Sequence, residues 1–115
     1  MSVQRSDLFQ HIASPADIPL DDWLSLVAML RERWNRLFGA ELCNDVVQAI
    51  FVTLGRSAHA GGLPIKSIVD ATGASEDLTS RWLSILASRN LVDELPGNWF
   101  KLSDDGRARL QQIYS

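Results

Sequence analysis

Apolar residues recur at spacings of three and four over Trp23, Leu26, Val27, Leu30, Trp34, Leu37 and Phe38, the period of an amphipathic helix that Asp21 or Asp22 would cap and Gly39 would end. A second helix is expected from about Glu41 to Leu54. Its apolar positions, Leu42, Val46, Val47, Ala49, Ile50, Phe51 and Leu54, cover nearly the whole circumference and make it central. Gly55 to Gly62 is broken by glycines and small polar residues and reads as a loop; no Gly-Lys-Ser/Thr follows it, so it is not a phosphate cradle. Pro64 then opens a short helix, about Ile65 to Thr72, that Gly73 stops. Ser75 caps a longer helix reaching about Arg89, with Glu76 and Asp77 at its positive end, Trp82, Leu83, Ile85 and Leu86 turned inward, and Asn90 as a left-handed stop. Leu91 to Leu95, a turn at Pro96-Gly97-Asn98, and Trp99 to Leu102 form a two-stranded hairpin. Ser103 caps a last helix that turns Ala108, Leu110 and Ile113 inward.

Ahead of these elements, the prolines of Ser14-Pro15-Ala16-Asp17-Ile18-Pro19 bias their predecessors away from helix, so residues 1–20 read as an N-terminal arm and residues 21–115 as one domain. The fold class is mainly α with a small β-hairpin. A short helix, a tight glycine turn, a capped longer helix and a hairpin, in that order, describe a winged helix-turn-helix.

The length of 115 residues, 46% of them hydrophobic, suffices for one core without disulfide staples. Cys43 is the only cysteine, which excludes an intrachain disulfide, fits a reducing compartment and reads as a small buried hydrophobe. No apolar run approaches the roughly 18 residues of a membrane helix, and the charges and prolines near the N-terminus do not make a signal peptide. A cytoplasmic protein without membrane partners is expected. Fourteen acidic against 11 basic residues give a formal charge of -3. That balance disfavours coating nucleic acid through bulk positive charge, but it leaves room for a local reader with a few cations on one face.

The run Ile65-Lys66-Ser67-Ile68-Val69-Asp70-Ala71-Thr72-Gly73-Ala74-Ser75, followed by Thr79-Ser80-Arg81-Trp82 and Leu86-Ala87-Ser88-Arg89-Asn90-Leu91-Val92, resembles the winged-helix core of MarR-type transcriptional regulators. The step Leu102-Ser103-Asp104-Asp105-Gly106-Arg107-Ala108 is similar to the family's passage from the second wing strand into the closing helix. The likeness spans roughly Leu42 to Ile113. It implies a homodimer that binds a near-palindromic double-stranded DNA site, with one recognition helix in each major groove. Family wings are usually longer and tipped with arginine; here the turn is Leu95-Pro96-Gly97-Asn98, preceded by Asp93 and Glu94.

On this reading Arg81 contacts a base or phosphate and is suited to bidentate pairing with guanine. Asp77, Leu78, Ser80 and Ser84 are its outward neighbours; a carboxylate such as Asp77 can also accept from a cytosine amino group. Lys66 and Ser67 hold phosphate at the start of the preceding helix, and Asn98 and Lys101 contribute from the wing. Trp23, Leu30, Trp34 and Phe38 offer more apolar surface than one small core requires and are the expected dimer interface. Trp82 and Trp99 fit core packing equally well. Arg31, Arg33 and Arg36 read as a solvated basic edge.

The two histidines, His11 and His59, lack the spacing and cysteine partners of a metal site, and neither stands in a hydrolytic motif. Asp21-Asp22 and Asp104-Asp105 read as helix starts. No metal, cofactor or enzymatic activity is expected. The rival to a DNA-binding regulator is a winged-helix module turned to protein contacts, which the acidic balance and short wing favour. A small-molecule effector in a dimer cleft near Trp23 and Trp34 is compatible with the first reading.

Overall fold

The computed structural model describes residues 18–57 and 61–114 as five α-helices and a three-stranded antiparallel sheet. In chain order these are α1 (Leu20–Phe38), α2 (Asp45–Arg56), β1 (Leu63–Pro64), α3 (Ile65–Thr72), α4 (Glu76–Ser88), β2 (Val92–Leu95), β3 (Trp99–Leu102) and α5 (Asp104–Tyr114). Most of the expected arm, with His11, lies outside the described residues, as does His59.

Helix α1 begins after Pro19, so Asp21 and Asp22 stand within its first turn instead of capping it. Gly39, at φ 90°, closes it with an N–H bond to the Asn35 carbonyl at 2.9 Å. A 3-10 turn, Ala40–Leu42, then reverses the chain. The following helix starts later than residue 41 because Asn44 is its cap: Oδ1 accepts from the Val47 N–H at 3.0 Å. It also runs through Gly55, where the expected loop would have begun, and the side chain of Leu110 from α5 lies against that glycine.

Val47, Ile50, Phe51 and Leu54 of α2 are buried at the centre. The Phe51 ring lies 5.6 Å from that of Trp34, edge-on, and 4.6 Å from that of Phe38. Trp34 Nε1 donates to the Leu42 carbonyl at 2.7 Å. Trp34 and Phe38, expected on a dimer face, are therefore core residues of their own chain, exposed by only 3% and 6%. The 3-10 turn folds α2 back over the last turns of α1, and the aromatic side of α1 is consumed in place.

The ends of α1 and α5 clamp each other. Arg33 Nη1 donates to the Ile113 carbonyl at 2.8 Å, and Arg109 Nη1 to the Leu37 carbonyl at 2.9 Å. Each guanidinium thus meets the negative end of the opposite helix. Arg33 is half-buried and does not belong to a solvated edge, whereas Arg31 and Arg36 are exposed.

The sheet order is β1-β3-β2. The expected hairpin, β2 with β3, gains a third strand through Leu63 opposite Phe100 and Pro64 opposite Trp99. Two residues, one a proline without an N–H, suffice because β1 is an edge strand. At the other end of β3, Ser103 joins the sheet to α5. Its Oγ donates to the Asn90 carbonyl at 2.6 Å and accepts the Gly106 N–H at 3.0 Å.

Candidate nucleic-acid interface

The turn between α3 and α4 is built from short polar residues. Gly73 adopts the left-handed conformation at φ 70° and bonds the Val69 carbonyl at 3.0 Å. Thr72 Oγ1 donates to the same carbonyl at 3.1 Å, accepts from the Ala74 N–H at 3.3 Å, and lies 3.4 Å from Thr79 Oγ1. Ser75 caps α4, accepting from the Leu78 N–H at 3.1 Å. These bonds set how α4 leaves the body of the protein.

Thr79, Leu83 and Leu86 define the inner face of α4 and are fully buried. At about 3.6 residues per turn, Arg81 stands at the centre of the opposite face, and it is exposed. Asp77 and Ser84 flank it on one side, Leu78 and Ile85 on the other; the last two are 39% and 37% exposed. Ile85, expected inward, is on the outer surface, and Ser80, expected outward, is half-buried at the rim. The cause of both shifts is Thr79, whose hydroxyl finds Thr72 and can therefore be buried. Trp82 is half-buried against the core. Arg89, at the end of α4, pairs with Glu41.

Lys66 and Ser67 are exposed in the first turn of α3. The hairpin turn reaches this point: the carbonyl of Asn98, itself at φ 59°, accepts the Ile65 N–H at 3.0 Å. Asn98 and the start of α3 are thus one continuous surface. Lys101 is exposed on β3, directly opposite Asp93 of β2, and such a cross-strand pair places opposite charges side by side. Trp99, two residues earlier on the same face, is 41% exposed between Pro64 and Leu95, so it is not the core residue that its size suggests. Across α3, α4 and the hairpin, the cations Lys66, Arg81 and Lys101 and the acids Glu76, Asp77, Asp93 and Glu94 are all exposed.

Elsewhere, the N-terminal half of α1 continues the apolar side that buries Trp34 and Phe38, but the core does not cover it. Leu20, Leu24 and Val27 are 71%, 57% and 49% exposed, while Trp23 and Leu30 are half-buried. The spacing of four and three among Leu20, Leu24 and Val27 is the signal for that stripe, which lies on the same side of α1 as Trp34 and Phe38 and extends it toward the N-terminus. A cavity of about 250 Å³ lies beside it, walled by Val27, Leu30, Trp34, Cys43, Gln48 and Tyr114 among others. Cys43 is half-buried there, its sulfur 3.9 Å from Gln48 Nε2. Partial burial raises the pKa of the Tyr114 hydroxyl above its ordinary value of 10.0.

Among the described residues no group of three or more His, Cys, Asp or Glu side chains could hold a metal ion, and no helix is long and apolar enough to cross a membrane. No protein-family model matches the chain, and no curated protein matches it.

Proposed function

We propose that this protein is a MarR-type winged helix-turn-helix transcriptional regulator that binds double-stranded DNA as a homodimer in the cytoplasm, with α4 in the major groove and the β2–β3 hairpin as the wing. The observation that carries this reading is the outer face of α4, which no part of the described chain covers and which has Arg81 at its centre. In this role Arg81 pairs with a guanine edge, Asp77 and Ser84 line one side of it, and Ser80 contributes from the rim. Lys66, Ser67, Asn98 and Lys101 hold the phosphate backbone. The second copy packs on the N-terminal half of α1, through Leu20, Leu24 and Val27 together with Trp23 and Leu30. The cavity beside Trp34 and Tyr114 is the place for a small-molecule effector.

A second reading, a winged-helix module that binds protein and not DNA, is favoured by one specific observation. The surface that would meet phosphate includes Asp77, Asp93 and Glu94 and the exposed indole of Trp99, in a chain of formal charge -3. Fluorescence anisotropy with selected and random duplexes, at low and moderate salt, separates the two. With Lys66 and Lys101 on phosphate in both copies, the DNA reading expects a log–log salt slope of about -4. It also expects Arg81→Ala to lose about tenfold or more on a selected site. No binding at low salt by a chain that sediments as a dimer would overturn the DNA reading and favour the protein-binding one.

A further inference from the structure

We infer that Leu78 and Ile85 recognise thymine methyl groups on one side of the base contact made by Arg81, so that each half-site carries thymines on both sides of a guanine·cytosine pair along the groove. This inference rests on the DNA-binding reading and adds base composition to it. Its starting point is the asymmetry of the outer face of α4. One flank of Arg81 is polar, with Asp77 and Ser84; the other holds two large apolar side chains, 39% and 37% exposed, that are not part of the buried core cluster.

Spacing gives the pair its meaning. Leu78 and Ile85 are seven residues apart, so they lie on nearly the same line along the helix, separated by about 10 Å at 1.5 Å per residue. That rise corresponds to about three steps of B-form DNA at 3.4 Å per base pair, and Arg81 lies between the two. A cation at the centre of the face suits the guanine O6 and N7 acceptors. The one apolar group on the major-groove edge is the thymine methyl, the natural partner for an aliphatic side chain. On a duplex the guanine edge gives the Arg81 guanidinium a bidentate acceptor between the two apolar contacts.

The test selects binding duplexes from a randomised library with the full chain. Thymines in the selected site are then replaced singly by deoxyuridine, which removes the methyl and preserves pairing. We expect affinity to fall about fourfold at each contacted thymine, the worth of one buried methyl. Leu78→Ala should bind the thymine and uracil duplexes equally at one position, and Ile85→Ala at another; both residues are exposed, and circular dichroism verifies that the variants fold. Specific binding that is indifferent to every thymine-to-uracil change overturns this inference and leaves the DNA reading standing. So does discrimination that survives both alanine variants. If no sequence is enriched and no duplex binds at low salt, both the inference and the reading fall.

Discussion

Replacing Gly106 by alanine tests how the hairpin is fixed to the rest of the molecule. A Cβ at Gly106 would stand 2.1 Å from the Leu91 carbonyl oxygen, against an ordinary carbon–oxygen contact of about 3.3 Å. The start of α5 and the chain leaving α4 must therefore part by about 1 Å. That same carbonyl accepts the Ser103 N–H at 3.1 Å, while Ser103 Oγ bonds the Asn90 carbonyl at 2.6 Å and the Gly106 N–H at 3.0 Å. Three hydrogen bonds worth about 1 kcal/mol each are strained together. Alanine recovers about 1 kcal/mol of helix propensity, leaving a net loss of about 2 kcal/mol, within the usual range for overpacking. Gly55→Ala is the matched control. There the new Cβ meets Leu110 Cδ2 at 2.8 Å, the end of a side chain that can rotate aside, and the expected change is under about 1 kcal/mol. Urea unfolding followed by circular dichroism and tryptophan fluorescence measures both. Gly106→Ala as stable as the parent, or less harmful than Gly55→Ala, would refute the reasoning.

Ser75→Ala removes the cap on α4 and should cost about 1 kcal/mol, read from the same unfolding curves; no loss would mean that the cap contributes nothing. Trp34→Phe keeps most of the aromatic bulk but leaves the buried Leu42 carbonyl without its 2.7 Å donor, and about 1–3 kcal/mol should be lost. Spectrophotometric titration at alkaline pH should find Tyr114 ionising above 10.0, because burial disfavours the phenolate. The sign for stability follows: the contribution is fully present below the unfolded pKa near 10.0 and is lost as pH rises through the higher folded value. A Tyr114→Phe variant should therefore lose less stability across that alkaline range than the parent.

The segment from α3 to α5 was legible because its signals are local. Gly73, Ser75, Asn90, Gly97 and Ser103 each act on their own backbone, and each does so where the sequence places it. What failed required knowledge of what lies opposite. Periodicity marks Trp34 and Phe38 as one side of a helix but does not say whether α2 or another copy covers that side; the 3-10 turn at Ala40–Leu42 decides for α2. Ile85 reads as core by type, yet a hydroxyl pair between Thr72 and Thr79 lets a threonine take the buried position and turns the isoleucine out. Strand β1 is two residues long and has no period to detect; only its partner β3 defines it.

Under the DNA-binding proposal the two outer surfaces depend on each other. One copy offers Lys66, Arg81 and Lys101, and Asp93 stands across from the last of these. Two cationic phosphate contacts, Lys66 and Lys101, on an acidic protein give a lone copy weak binding. Two linked copies add the gain of an intramolecular second contact, on the order of 10²–10⁴. The exposed stripe of Leu20, Leu24 and Val27 is then as necessary to recognition as Arg81, although it touches no base. Leu24→Glu places a charge on that stripe without disturbing the core, since Leu24 is 57% exposed. The variant should keep the thermal stability of an isolated chain, sediment as a monomer, and lose about a hundredfold in affinity for a two-half-site duplex while its affinity for a single half-site stays unchanged. A Leu24→Glu chain that remains dimeric would place the interface elsewhere, and a monomeric one that binds the full site undiminished would break the link between the two surfaces.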